Sequence, residues 1–111
     1  MPTPISSCQE YFDTLQDRFV VSAAKGVTAV YQFELSGPGG GTWHISIADG
    51  AMSVHNGPHP DPSSVVTAEA DDYVKIANGT MNGLRAVMTR RMKISGNLVL
   101  ARKMQAMLPT G

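Results

Sequence analysis

The chain has 111 residues, of which 42% are hydrophobic and 16% are charged, and its formal net charge at pH 7 is zero. That length supports one hydrophobic core but not two, so we expect residues 1–111 to form a single globular domain. Because the chain carries no net charge, its overall electrostatic field gives no reason to expect nucleic acid as a partner.

The charges are distributed unevenly along the chain. All nine acidic residues precede position 73, whereas seven of the nine basic residues follow it. Residues 1–72 therefore carry a net charge of −7 and residues 73–111 a net charge of +7. Two interpretations remain open: the acidic part packs against the basic part, or the basic part meets phosphate groups or an anionic membrane surface.

Cysteine usage and hydropathy indicate the compartment. Cys8 is the only cysteine, which excludes an intrachain disulfide and favours a reducing compartment. Its helical spacing to Phe12 predicts a buried thiol. The first residues lack a basic region followed by an apolar run, so we expect no signal peptide. No stretch approaches the roughly 18 apolar residues of a membrane span. We therefore expect a soluble cytoplasmic protein.

The first predicted element is a helix. Ser7-Cys-Gln-Glu10 fits a capping box, in which the Ser hydroxyl and the Glu carboxylate satisfy free N–H groups at a helix start. Apolar residues then recur at helical spacing, which predicts a helix that runs to about Val20. After Gly26 the apolar period becomes two, which predicts a half-buried strand over residues 29–35.

The middle of the chain predicts three further strands joined by turns. Glycines in residues 36–41 and the two-residue Asp49-Gly50 turn suit tight hairpins. Three prolines in residues 56–62 exclude a sheet interior and predict a connecting loop. Strand patterns lie over residues 43–47, 52–54 and 64–68.

The last third predicts three helices and a fifth strand. Asp71 and Asp72 place negative charge at the start of a short helix that ends near Asn78-Gly79. Asn97 is placed to cap the closing helix. The remaining segments are a helix over 81–89, a strand over 92–95 and a helix over 97–108. This order predicts an α+β fold with a five-stranded, mostly antiparallel sheet covered on one face by about four helices.

The sequence offers no convergent set of catalytic or metal-binding residues. His55 and His59 are four residues apart, but they fall in the proline loop instead of on one helix face, and we expect both, like His44, to face solvent. The carboxylates of Asp71 and Asp72 point in different directions and are explained by the helix start. We therefore expect no enzymatic activity, no cofactor and no bound metal.

Methionine is frequent for a chain of this length. Such flexible, polarizable side chains suit either gap filling in a packed core or a cavity that accepts varied apolar molecules, and the pattern leaves both interpretations open. Besides the first residue, methionines lie at positions 52, 81, 88, 92, 104 and 107.

Four segments of the chain carry a family resemblance. They are Gly37-Pro-Gly-Gly before Thr42-Trp43, the Asp49-Gly50 turn, the short helix ending at Asn78-Gly79, and Met92-Lys-Ile-Ser-Gly-Asn-Leu-Val-Leu-Ala-Arg-Lys-Met104. Over residues 7–108 the chain closely resembles the sterol carrier protein 2 domain. The resemblance implies an apolar cavity between the sheet and the helices that takes fatty acids, fatty acyl-CoA, phospholipids or sterols without covalent chemistry.

The resemblance implies a lipid carrier, and we expect two groups of residues to serve it. Basic side chains would attract a carboxylate or CoA phosphates at the cavity mouth, or make transient contact with an anionic membrane: Arg90, Arg91, Arg102 and Lys103. The ligand itself would be held by apolar side chains: Phe33, Trp43, Ile45, Met81, Leu84, Met88, Leu100, Met104 and Met107.

Two features depart from the family pattern. Arg90-Arg91 replaces the usual Gly-Lys pair before the last strand, and because Arg takes a positive φ less readily than Gly, we expect the turn to differ there. The chain also ends without a Ser-Lys-Leu type tripeptide, which favours a bacterial-style cytosolic member.

A second functional class remains open. The domain could be a protein-interaction or accessory module that dimerises, or that shields substrate for a partner enzyme, with the apolar closing helix as its interface. For the carrier itself we expect a monomer or a weak homodimer.

Overall fold

The secondary-structure elements follow one another in the predicted order. The computed structural model describes residues 5–15, 19–20, 22 and 25–107, the last four of them (104–107) by their backbone only. The elements are α1 (Cys8–Asp13), β1 (Ala29–Ser36), β2 (Gly41–Ala48), β3 (Ala51–Asn56), β4 (Ser64–Glu69), α2 (Ala70–Ala77), α3 (Gly83–Met88), β5 (Met92–Gly96) and α4 (Leu98–Met107).

The five strands form one sheet in the order β3-β2-β1-β4-β5. The central pair β1 and β4 is parallel, whereas the other three pairs are antiparallel. Phe33 of β1 lies opposite Trp43 of β2 and Val66 of β4. The predicted five-stranded, mostly antiparallel sheet is therefore confirmed.

The two faces of this sheet are covered differently. The face that carries Phe33, Trp43 and Val66 is buried under the helices, as the predicted period-two patterns require. The predicted loop of residues 57–63 crosses the opposite face on its way from β3 to β4, and its backbone bonds to the strands below it. The N–H of Gly57 donates to Thr42 O (2.8 Å), that of His59 to Gln32 Oε1 (2.9 Å), and that of Ser63 to Val30 O (2.8 Å).

An aromatic cluster fills the space between the sheet and the first two helices. The Phe12 ring stacks on Trp43 with 4.6 Å between centroids, and it meets Phe33 edge-on at 5.2 Å. Tyr73 of α2 lies 5.6 Å from Phe33 and 5.2 Å from Tyr11. Aromatic pairs at these separations contribute about 0.5–1.5 kcal/mol beyond area burial, so this half of the core is closely packed.

Helix α1 begins at the predicted Ser7 cap, but the Glu10 carboxylate does not complete the predicted capping box, and the helix ends early. The Ser7 hydroxyl accepts from Glu10 N (3.1 Å), while the Glu10 carboxylate accepts from the Ser6 hydroxyl (3.0 Å). The predicted end near Val20 is wrong, because α1 ends at Asp13 and Val20 is not helical. At its end the Thr14 hydroxyl donates to Glu10 O (2.8 Å), which closes the last turn.

Helices α2 and α3 end in the same way with different residues. Gly79 has φ +79°, and the N–H groups of Gly79 and Thr80 donate back into α2, to Ile76 O (3.1 Å) and Lys75 O (2.9 Å). Arg90 has φ +64° and closes α3 by the same pair of bonds. Both ends are Schellman motifs, which require a left-handed residue. The expectation that Arg90 changes this turn is therefore wrong, because Arg90 adopts the left-handed conformation.

The start of α4 fits the predicted cap. Asn97 Oδ1 accepts from Leu100 N at 3.1 Å. Just before it, Gly96 has φ +86°, and a Cβ there would lie 2.6 Å from Ser63 O. Glycine is needed at this position for both reasons, since a side chain would be strained and would also strike the backbone of the preceding loop.

Candidate functional site

Helices α3 and α4 turn small side chains toward the sheet and large ones away from it. Ala86 of α3 and Ala101 of α4 are 1% and 5% exposed, whereas Leu84 and Met88 of α3 are 67% and 75% exposed. A helix that covers a core usually buries its large apolar residues. On the helix side, the space between these two helices and the sheet therefore includes the methyl groups of Ala86 and Ala101.

Strands β4 and β5 form the floor of this space. Val66, Ala68 and Met92 are buried there, and Ile94 is partly buried beside them. Met81 and Leu100 pack against the same core from the helix side and are also partly buried. We call this region, bounded by Val66, Ala68, Met81, Ala86, Met92, Ile94, Leu100 and Ala101, the β5-edge site.

Helix α4 is tied to the sheet by a hydrogen bond across the core. The Tyr31 hydroxyl donates to the carbonyl oxygen of Leu100 at 2.6 Å, and burial raises the pKa of this phenol to about 12. Ser64 adds a second tie, because its hydroxyl donates to Asn97 O at 2.7 Å. Both ties hold the start of α4 over the centre of the sheet.

The nine predicted ligand contacts fall into four groups. Phe33, Trp43 and Ile45 are buried sheet core, as expected, and Phe33 and Trp43 belong to the aromatic cluster. Met81 and Leu100 border the β5-edge site. The structure gives no side-chain positions for Met104 and Met107, so their predicted roles lie outside the described residues.

Leu84 and Met88 lie at the surface instead of between the sheet and the helices. Residues four apart share one face of a helix, and here Ala86 occupies the buried face of α3. Their predicted contact with a ligand stays a prediction. At these exposed positions it would occur at the rim of the site.

The predicted basic residues are all exposed. Arg90 and Arg91 follow α3, whereas Arg102 and Lys103 lie on α4. Among the described residues one ion pair joins the acidic and basic parts of the chain, between Arg91 Nη1 and Asp72 Oδ1 at 3.5 Å. This pair could not be predicted from the sequence, because nothing in the spacing indicates that Asp72 is buried at the start of α2.

Cys8 and Tyr73 have perturbed pKa values without a catalytic arrangement. The Cys8 thiol is buried and its Sγ lies 3.6 Å from Ala70 O, and burial, with a smaller effect of Asp71, raises its pKa. Burial likewise raises the pKa of Tyr73 well above its usual value, assisted by Tyr11. The prediction of a buried thiol is therefore confirmed for Cys8.

The three histidines meet on the sheet face opposite the helices, which the sequence analysis did not foresee. The His44 and His55 rings stack with 4.9 Å between centroids, and His59 meets His44 edge-on at 5.2 Å. His44 Nδ1 donates to Gly57 O at 2.9 Å. The pairing of His44 with His55 on adjacent strands could have indicated the contact between these two rings. The contact of His59 depends on the path of the loop, which the sequence does not indicate. Within the described residues no group of three or more His, Cys, Asp or Glu side chains could hold a metal ion.

None of the described helices is both long and apolar enough to cross a membrane. The longest, α4, has ten residues.

The chain matches known proteins in sequence and in fold. A family model described as the SCP-2 sterol transfer family matches residues 12–109. Hydroxysteroid dehydrogenase-like protein 2 of Mus musculus is 36% identical over 101 residues, which make up 90% of this chain. These residues span 21% of that protein, so the chain corresponds to about a fifth of the relative that it matches.

Two solved structures share the fold over almost their whole length. The sterol carrier protein domain 2 of Helicoverpa armigera has a TM-score of 0.73 and 26% identity, covering 87% of this chain and 81% of that one. The palmitated SCP2L2 from Aedes aegypti has a TM-score of 0.72 and 22% identity, covering 91% of this chain and 93% of that one. The predicted arrangement of sheet and helices is therefore confirmed.

Proposed function

Because the chain belongs to the SCP-2 sterol transfer family, we propose that it binds an apolar lipid non-covalently in the β5-edge site and carries it between membranes or enzymes. The proposal treats residues 1–111 as one ligand-binding unit without catalytic activity, and the cytoplasm as its location.

The single observation that carries this proposal is the arrangement of side chains on α3 and α4. Ala86 and Ala101 leave the least side-chain volume over β4 and β5, at the edge of the sheet. Burial of an acyl chain contributes about 0.8 kcal/mol per methylene, so ten methylenes contribute about 8 kcal/mol before ordering costs. A modest outward movement of two short helices would admit such a chain without disturbing the aromatic cluster.

The ligand classes under test are fatty acid, fatty acyl-CoA, phospholipid and sterol-like lipid. The palmitated Aedes aegypti protein of this fold supports an acyl chain as the first ligand to examine. Met81 and Leu100 would contact the chain inside the site, with Leu84 and Met88 at its rim. We retain the remaining predicted contacts as part of the proposal: Phe33, Trp43, Ile45, Met104 and Met107.

A charged head group would be met by the exposed cations near the two helices. In the proposal Arg90, Arg102 and Lys103 attract a fatty-acid carboxylate or CoA phosphates, while Arg91 divides its charge between the ligand and Asp72. Exposed cations act over about a Debye length, so the contribution should fall as salt is added.

The test is a titration of delipidated protein with a fluorescent long-chain fatty acid, followed by displacement with palmitoyl-CoA and with a sterol. Saturable binding of one ligand per chain, with displacement by one class, would establish the carrier and its ligand type. The Ala86→Leu variant fills the site and should weaken binding at least tenfold.

Ala48→Leu is the matched control for this variant. Ala48 is exposed at the hairpin end of β2, far along the chain from α3, so the same added volume should leave binding unchanged. If Ala86→Leu and Ala48→Leu bind alike while both remain folded, the ligand lies elsewhere.

A protein-interaction or accessory module is the second candidate function. The chain corresponds to 21% of the mouse relative, which supports a role beside an enzyme's other parts. In that case the exposed apolar residues of α3 and α4 would contact a protein. Light scattering separates the candidates: a monomer that takes up lipid favours the carrier, and a tight dimer without uptake favours the module.

A further inference from the structure

The large apolar side chains that are exposed among the described residues all lie on the two helices that flank β5. On α3 they are Leu84 (67% exposed), Val87 (37%) and Met88 (75%), and on α4 they are Leu98 (59%) and Val99 (65%). Isolated exposed apolar residues are normal, but their confinement to two neighbouring elements is not.

The arrangement of exposed apolar side chains on α3 is more informative than that on α4. In the six-residue helix Gly83–Met88, Ala86 is the buried residue, and the three larger apolar side chains project outward to different extents. Leu84 and Met88 lie one turn apart and form a ridge on the outer face. α3 therefore presents to the outside the face that a helix ordinarily presents to the core.

The charged residues within and after α3 have one sign. Arg85 within α3, Arg90 just after it, and Arg102 and Lys103 on α4 are exposed. No acidic residue follows Asp72 in the sequence. Asp72 itself is buried and its carboxylate is engaged by Arg91, so it does not offset the exposed cations.

We propose that α3 and the first turn of α4 form a docking surface for an anionic lipid bilayer. Leu84, Met88, Leu98 and Val99 enter the head-group and acyl boundary, while Arg85, Arg90, Arg102 and Lys103 bind the lipid phosphates and carboxylates. This inference rests on the proposed function, because a carrier has to exchange its lipid at a bilayer.

Charge complementarity selects a bilayer over a protein as the occupant. Interfacial helices combine exposed apolar residues with Lys and Arg, and each cation near an anionic lipid surface strengthens attachment several-fold. The centre of a protein–protein interface is instead depleted of charge. The ridge lies on α3, which packs against β5, so docking would bring the β5-edge site close to the membrane.

The experiment measures co-flotation of the delipidated full chain with two kinds of vesicle, phosphatidylcholine alone and phosphatidylcholine mixed with phosphatidylserine. Wild-type protein should bind the anionic vesicles at least tenfold more tightly, and added salt should weaken this binding. The Leu84→Ser/Met88→Ser variant should bind at least tenfold more weakly to the anionic vesicles, and Arg85→Gln/Arg90→Gln should lose most of the preference for them.

Lys93→Gln is the matched control for charge removal. Lys93 lies on β5 but on the face of the sheet away from the helices, because its neighbours Met92 and Ile94 point toward the core. This variant should bind within about twofold of wild type. A Met88→Trp variant adds a second readout, since its emission should shift to the blue with anionic vesicles.

The results also separate this inference from the proposed function. A Leu84→Ser/Met88→Ser protein that still takes up fatty acid in solution but has lost vesicle binding supports docking. Vesicle binding by a protein that takes up no lipid supports docking and contradicts the carrier. Equal binding to both vesicle types, equal effects of Lys93→Gln and Arg85→Gln/Arg90→Gln, or a wild-type dimer that the double serine variant converts to a monomer would overturn the docking surface.

Discussion

The phenol oxygen of Tyr31 lies 2.6 Å from the carbonyl oxygen of Leu100, so the central strand holds the closing helix through a bond between residues 69 positions apart. The bond is made across the core beside the β5-edge site. In the proposed function it would limit how far α4 moves away from the sheet when a ligand enters. Its removal therefore tests both the stability of the fold and the mobility of the site.

Tyr31→Phe should lower the free energy of unfolding by about 0.5–1.5 kcal/mol, because one buried hydrogen bond is lost without a change in ring volume. Amide hydrogens of α4 should exchange faster than in wild type, while those of β1 and β2 keep their protection. Urea unfolding followed by hydrogen exchange measures both effects. Uniform loss of protection over the whole sheet would contradict a local role for this bond.

Alkaline pH should act through the same group. The folded-state pKa of Tyr31 is raised to about 12, above the usual value near 10, so folding favours the protonated phenol. This stability is fully present below pH 10 and is lost at about 1.4 kcal/mol per pH unit as the pH rises from about 10 toward 12. The difference between wild type and Tyr31→Phe in urea midpoints, measured at several pH values, isolates this contribution from that of Tyr73. A difference in urea midpoints that does not change with pH would contradict the raised pKa of Tyr31.

Gly83→Ala should stabilise the protein by about 0.5–1 kcal/mol, because Ala favours the helical backbone and loses less conformational entropy than Gly. The added methyl group would lie 3.7 Å from Ile76 Cγ2 and 3.9 Å from Met92 Cε, which are ordinary contacts. Thermal and urea unfolding measure the change. A loss of stability would mean that Ile76 and Met92 leave no room for the added methyl group.

Gly96→Ala should be among the most damaging single substitutions in the chain. Its Cβ would lie 2.6 Å from Ser63 O, and its φ is +86°, so we expect a loss of at least about 2 kcal/mol. Gly57→Ala separates the two causes, because Gly57 has φ +94° and no atom within 4 Å of its Cβ. That control should cost only about 1 kcal/mol. Equal losses in the two variants would exclude the contact with Ser63 as a cause.

Arg90→Gly should increase stability by about 0.5 kcal/mol, since relief of the left-handed strain exceeds the greater flexibility of Gly in the unfolded chain. Gly79→Arg makes the opposite exchange at the left-handed position that ends α2, and it should lower the free energy of unfolding by a similar amount. Equilibrium unfolding of both variants measures the comparison. A destabilised Arg90→Gly would mean that the Arg90 side chain makes a contact worth more than the strain.

Most of the fold could be predicted because its signals are local. Ser7 and Asn97 cap helices through their own side chains, and Asp49-Gly50 turns with both φ angles positive, so each pattern fixes structure within a few residues. The early end of α1 could not be predicted in this way, because the apolar spacing continues past the residue where the helix ends. Arg90 shows the opposite case, in which a hydrogen-bonded helix end imposes a conformation that the residue itself disfavours.

The candidate site was less predictable than the fold. Apolar periodicity indicates which residues can face a core, but it does not indicate which of two apolar faces does so. On α3, which packs against β5, Ala86 is buried whereas Leu84 and Met88 are exposed. Burial of Asp72 beside Arg91 is likewise determined by tertiary structure, since 19 residues separate the two in sequence.

Left-handed residues stand on both sides of α3, Gly79 before it and Arg90 after it. Each ends a helix through backbone bonds made to its own preceding turn. The backbone therefore sets the path of the chain into α3 and out of it. A substitution that disfavours a positive φ at Gly79 would change where α2 ends, and with it the approach of the chain to α3.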